Sequence, residues 1–125
     1  MSLLVHLARS PLSRFALGWI LAHMSFAIPV QRLRETSTLI AFRHPQPSYP
    51  VHILIVPKKP VPDFAALTPA DASLLMELTA TVQSLVAELG LEAVGYRLIV
   101  NGGAYQDVAQ LHFHLIAERG DESRD

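Results

Sequence analysis

Residues 108–116 read VAQLHFHLI, nine residues without glycine or proline in which apolar and hydrogen-bonding side chains alternate from Gln110 onward. Alternation of this kind predicts a strand with one buried face, because successive side chains point to opposite sides. Leu111, Phe113 and Leu115 then share the face that packs, while Gln110, His112, His114 and Ile116 share the other. That second face offers an amide and two imidazoles about 6–7 Å apart along the strand, beside a glycine-containing loop. Such a row can hold an anion.

The flanking sequence supplies the partners of this strand. Residues 95–101 (GYRLIVN) predict another strand, and the intervening Gly102-Gly103 loop makes the two antiparallel neighbours. Upstream, Thr68-Pro69-Ala70-Asp71 offers an N-cap, a proline at the first helical position and an acid in the first turn. Leu74, Leu75, Leu78, Val82, Leu85, Val86 and Leu89 follow at helical spacing and Gly90 ends the run, so residues 69–89 predict a helix. Residues 51–56 (VHILIV) form a nearly continuous apolar run stopped by Pro57, as expected of a central strand. Residues 31–36 and 38–43 predict two further strands or one bent strand, and the three prolines of residues 44–50 mark a loop. Leu17, Ile20, Leu21 and Met24 predict a helix over 13–26, closed by Ile28-Pro29. The order helix, strands, helix, strands, without repeat or linker, implies an α+β fold.

The composition limits what such a domain does. With 125 residues, 50% hydrophobic and 17% charged, the chain fits one domain. Ten basic and eleven acidic residues give a net charge of −1, so no nucleic-acid partner is expected and any phosphate contact is local. The absence of cysteine excludes disulfides, Cys-ligated zinc and thiol nucleophiles, and fits a cytoplasmic location. Chemistry therefore falls to His6, His23, His44, His52, His112 and His114. The basic start and the apolar run of residues 15–30 imitate a signal or anchor. That run is 16 residues long, short of the roughly 20 that span a bilayer, which favours a buried helix over a membrane role. His112, His114 and Glu118 also imitate the start of a cupin metal motif, but only seven residues follow Glu118, too few for that barrel, and no metal site is expected.

Gln110-Leu111-His112-Phe113-His114-Leu115-Ile116 resembles the His-φ-His-φ-His-φ-φ signature of the histidine triad (HIT) family of nucleotide-binding and hydrolase proteins, where φ is apolar. Two of three histidines and all four apolar positions match. Residues 38–59 (TLIAFRHPQPSYPVHILIVPKK) resemble the family's strand, loop and strand entering the site, and residues 95–103 (GYRLIVNGG) its strand running into a phosphate-contacting loop. The likeness covers about residues 15–117, leaving 1–14 as an N-terminal extension and 118–125 as a charged tail. It implies a HIT-like α+β fold, an antiparallel sheet of about five strands with two main helices.

In that family the middle histidine attacks the α-phosphorus of a nucleotide, and the nucleotidyl-histidine is resolved by water or another acceptor. The resemblance thus implies His112 as nucleophile, with His114 and Gln110 binding the phosphate. Asn101, Gly103, Gln106 and Asp107 fall in the loop that holds it, and His52 matches an additional site histidine. Ile20, His23 and Phe42 fall at the base pocket. A core histidine satisfied by backbone is the competing reading of His52, and ordinary core lining that of the base-pocket trio. The implied substrate is a purine nucleotide derivative (a phosphoramidate, an aminoacyl adenylate or a dinucleoside polyphosphate), with no cofactor. A homodimer is implied too, in keeping with the apolar N-terminal third.

Three departures qualify the match. Gln110 stands at the first triad position and cannot carry a proton near neutral pH, so a lowered rate that Gln110→His would raise is expected. Asp107 replaces a small hydroxyl residue and would repel phosphate unless turned away, protonated or bridged. His44 replaces the acid that accepts ribose hydroxyls. A nucleotide-binding HIT protein with weak or no turnover is the alternative.

Overall fold

Five strands alternate their side chains between two packed faces. The computed structural model describes residues 31–119. Its strands are β1 (Arg32–Glu35), β2 (Leu39–Arg43), β3 (Val51–Pro57), β4 (Arg97–Val100) and β5 (Phe113–Ala117). They form one sheet in the order β1-β2-β3-β5-β4 with every neighbouring pair antiparallel. Every residue of β3 is buried, His52 included, as its nearly continuous apolar run requires of the middle strand.

Between β3 and β4 the chain forms α1 (Ala72–Glu88) and the short α2 (Leu91–Val94). A 3₁₀ turn at Pro69–Asp71 leads into α1, where Thr68 Oγ1 accepts from the Ala70 N–H and the Asp71 carboxylate accepts from the Thr68 N–H. Gly90 ends the helix with φ of 65°, a left-handed conformation that glycine adopts without a Cβ clash. Leu78, Val82, Leu85 and Val86 of α1 pack against one sheet face, made of Leu39, Ala41, Ile53, Ile55, Phe113 and Leu115. The opposite face carries a smaller cluster of Ile40, Phe42, Leu54, Val56 and Val108. This is the α+β architecture expected. The helix expected over 13–26 lies outside the described residues.

The expected strand over 108–116 is corrected. Strand pairing starts only at Phe113, opposite Ile55, and residues 108–112 run free of the sheet. Continuing the register would set Leu111 against Pro57, which has no N–H to donate. The Leu111 N–H instead donates to the carbonyl of Val61 at 2.7 Å. Gln110 and His112 therefore do not share a pleated row with His114 and Ile116.

Candidate functional site

The register builds the site on the sheet face away from α1. His44 directly follows β2, and its N–H donates to the carbonyl of His52 at 2.8 Å, so the two side chains stand on the same face. His114 lies opposite Leu54, one step along from His52 opposite Ile116. The ring centroids of His44 and His52 are 4.4 Å apart, those of His52 and His114 5.2 Å, and those of His112 and His114 4.9 Å. Four imidazoles from separate stretches of the sequence, His44, His52 and the His112–His114 pair, thus meet in one cluster.

Main-chain groups fix the tautomers of three of the rings, and one of those rings fixes the fourth. The Ser48 N–H donates to His52 Nδ1 at 3.1 Å, which leaves the hydrogen of the neutral ring on Nε2. His52 Nε2 lies 2.9 Å from His114 Nδ1 and donates to it, so His114 carries its own hydrogen on Nε2. The Gln46 N–H donates to His44 Nδ1 at 2.9 Å, with the same result. At His112, Nδ1 donates to the carbonyl of Gln110 at 2.7 Å, and Nε2 keeps its lone pair.

Burial disfavours the charged form of three of these rings. His114 is held down to about 4, first by burial and then by the neighbouring His112, His52 and His44. His44 is likewise lowered to about 4 by burial and by His52 and His112. Burial also lowers His52. The arrangement offers a nitrogen lone pair on His112 beside an N–H donor on His114, the pairing needed to attack an electrophilic phosphorus while holding its oxygens. Among the described residues no group of three or more His, Asp or Glu side chains could hold a metal ion.

A sequence profile described as the HIT domain matches residues 25–121, most of the chain. The chain belongs to the HIT domain family. It is 40% identical over 94 residues to a HIT-like protein of Chlamydia pneumoniae, covering 74% of this chain and 84% of that one. It is 38% identical over 94 residues to an uncharacterized HIT-like protein of Synechocystis, covering 74% and 82%. Among solved structures, a HIT family hydrolase from Legionella pneumophila superposes with a TM-score of 0.72 at 30% identity, covering 84% of this chain and 93% of that one. A histidine triad nucleotide-binding protein from Candida albicans gives 0.69 at 28% identity, covering 87% and 77%.

Within this HIT domain the remaining expected residues divide. Asn101 joins the cluster, lining with Tyr49, His52, Ile99, His114 and Ile116 a cavity of about 220 Å³. Tyr49 also meets the His52 ring edge-on at 5.6 Å. Gly103 is exposed with φ of 59°, and space is open around it, so the turn rather than crowding calls for glycine. Asp107 is exposed. Gln106 Nε2 donates to the Pro62 carbonyl at 2.7 Å, engaged with the neighbouring loop. Phe42 is buried against Leu54, and Ile20 and His23 lie outside the described residues.

Gln110 requires a correction, since it does not present its amide on a strand face beside the two histidines. It is only 2% exposed, its Oε1 accepts from the Val61 N–H at 3.2 Å, and its Nε2 faces the carbonyls of Lys59 and Leu111 at 3.4 Å. The backbone leaves the sheet before residue 110, and the side chain turns to satisfy these main-chain groups. Sequence reasoning missed Ile99 as a cavity wall, for which cross-strand register was the absent information, and Tyr49, which the loop between β2 and β3 brings to His52. It also missed the Ser48 N–H and the Gln110 carbonyl, main-chain groups that every residue type but proline provides.

Proposed function

We propose that this HIT domain is a nucleotide phosphohydrolase or nucleotidyl transferase acting at the α-phosphate of a nucleoside 5′-phosphate derivative through a nucleotidyl-His112 intermediate. The observation that carries this reading is the 2.7 Å bond from His112 Nδ1–H to the Gln110 carbonyl. It leaves Nε2 as the nucleophile, and the same carbonyl stabilises the positive charge that the ring gains as the N–P bond forms. The leaving group departs with the electron pair of its P–O or P–N bond. His114 Nε2–H, oriented through His52, donates to a phosphoryl oxygen, with Asn101 lining the same cavity as His114. Water or another acceptor then displaces His112 from phosphorus.

A purine nucleotide derivative as substrate and a homodimer as the working form complete the proposal. The dimer is supported by β4, an edge strand with Leu98 and Val100 exposed.

Intact-protein mass spectrometry after acid-free quenching tests the reaction, with adenosine 5′-phosphoramidate and a dinucleoside polyphosphate as probes. An adenylyl adduct or AMP release is expected in the wild type, and a loss of at least about a thousandfold in His112→Ala. Nucleotide bound by both proteins with neither adduct nor product would instead mark a binding protein without turnover.

A further inference from the structure

We infer that Gln110 is a positioning residue for His112: its buried amide clamps the chain to the Lys59–Val61 segment, so that its own main-chain carbonyl holds His112 Nδ1–H and keeps Nε2 free. The inference rests on the proposed role of His112 and adds the group that sets its orientation.

Residues 108–112 have no strand partner, so no ladder fixes the direction in which the carbonyl of residue 110 points. Bonds to the 59–62 segment do so instead. The Leu111 N–H reaches the Val61 carbonyl at 2.7 Å, Gln106 Nε2 the Pro62 carbonyl at 2.7 Å, and Gln110 Oε1 accepts from the Val61 N–H at 3.2 Å. The Leu111 N–H and the Gln110 amide thus close on both main-chain groups of Val61, immediately beside the carbonyl that His112 uses.

The other jaw of the clamp is itself fixed. Lys59, whose carbonyl faces Gln110 Nε2, pairs through its ammonium with the buried Asp71 carboxylate. Asp71 in turn accepts from the Thr68 N–H at the entrance to α1. A continuous set of bonds therefore ties the start of α1 to the nucleophile.

The chemistry of residue 110 follows from what it must do. Its side chain has to accept from an N–H while facing two carbonyls, and a neutral carboxamide meets both demands. A protonated Glu of the same shape does so too, whereas its carboxylate would face the carbonyls of Lys59 and Leu111 with no hydrogen to donate. The amide is engaged with main chain, so replacing a histidine by glutamine here removes no proton donor from the cluster. Gln110→His consequently brings no gain in turnover, contrary to what the triad motif alone suggests.

The test compares wild type, Gln110→Glu and Gln110→Ala as full chains. Histidine ¹⁵N NMR reads the tautomer of His112, and steady-state kinetics with adenosine 5′-phosphoramidate reads kcat and KM from pH 5 to 8. The expected wild-type form is Nδ1–H. Gln110→Ala mixes the tautomers and lowers kcat about 10–100-fold with KM within about twofold, because a misaimed nucleophile loses the attack geometry and not the binding. Gln110→Glu matches the shape of the native side chain; its kcat approaches wild type at the acidic end and falls away as the carboxyl ionises, a basic limb absent from the wild-type profile.

A folded Gln110→Ala with unchanged tautomer and kcat overturns the inference, as does a Gln110→Glu profile that follows wild type at every pH. If Gln110→Ala fails to fold, Gln110→Glu decides. If the wild type turns over neither probe, the nucleotidyl reading falls, and the tautomer comparison alone decides the positioning role.

Discussion

His44, His52 and His114 give up their protons more readily in the folded chain than in the unfolded one. Folded, His44 and His114 titrate near 4 against an ordinary 6.5, and His52 is lowered as well. Between those values the unfolded chain binds more protons, so stability falls as the pH drops through this window and the loss is complete only below about 4. Urea midpoints measured from pH 7.5 down to 4 should decline, and His44→Asn should flatten the decline; equal midpoints across the range would contradict the buried-neutral cluster. At this scale the sequence made His112, His114 and His52 legible, because imidazoles are scarce and their spacing is visible. It misplaced Gln110, because a glutamine looks the same whether its amide faces a ligand or a peptide group. The groups that orient His44, His52 and His112 are main-chain atoms, whose use depends on the path of the backbone and not on residue type.

Elements were legible where a local signal decides them. The apolar run of β3, the cap at Thr68 and the left-handed Gly90 are each written in a few adjacent residues. Gly90→Ala should therefore destabilise the domain by about 1–2 kcal/mol, since a Cβ is disfavoured at φ of 65°. Chemical denaturation measures it, and an unchanged midpoint would show that the helix end relaxes to another conformation at no cost. The start of β5 was not legible, although its alternating pattern extends further upstream. Alternation records which side chains are buried, and Leu111 and Val108 are buried off the sheet as well as they would be on it. What ends the strand is Pro57 on the facing strand, 54 positions before Leu111 in the chain, a conflict visible only once the register is known.

Among the described residues the sheet ends in β1 and β4, and these two edges are built differently, which bears on the whole molecule. β1 presents Arg32, Arg34 and Glu35, with ion pairs from Arg32 and Lys58 to Glu35 and from Arg34 to Glu88, a charged edge that discourages pairing with another chain. β4 carries a single charge, Arg97, beside Glu118, while Leu98 is 43% and Val100 36% exposed. Among the described residues nothing pairs its outer side. An apolar, unprotected edge on a small domain is a template for a second strand, and a twofold axis would set β4 against its own copy and extend the sheet across both subunits. Leu98→Lys should then weaken the homodimer by charging that edge, while the histidine cluster, carried by β3, β5 and the segments that follow β2 and precede β5, keeps its geometry. Light scattering across a dilution series reads the outcome: a dimer for the wild type and a shift toward monomer for the variant. A wild type that is monomeric at every concentration would remove the dimer from the proposal, and a variant as dimeric as the wild type would move the interface away from β4.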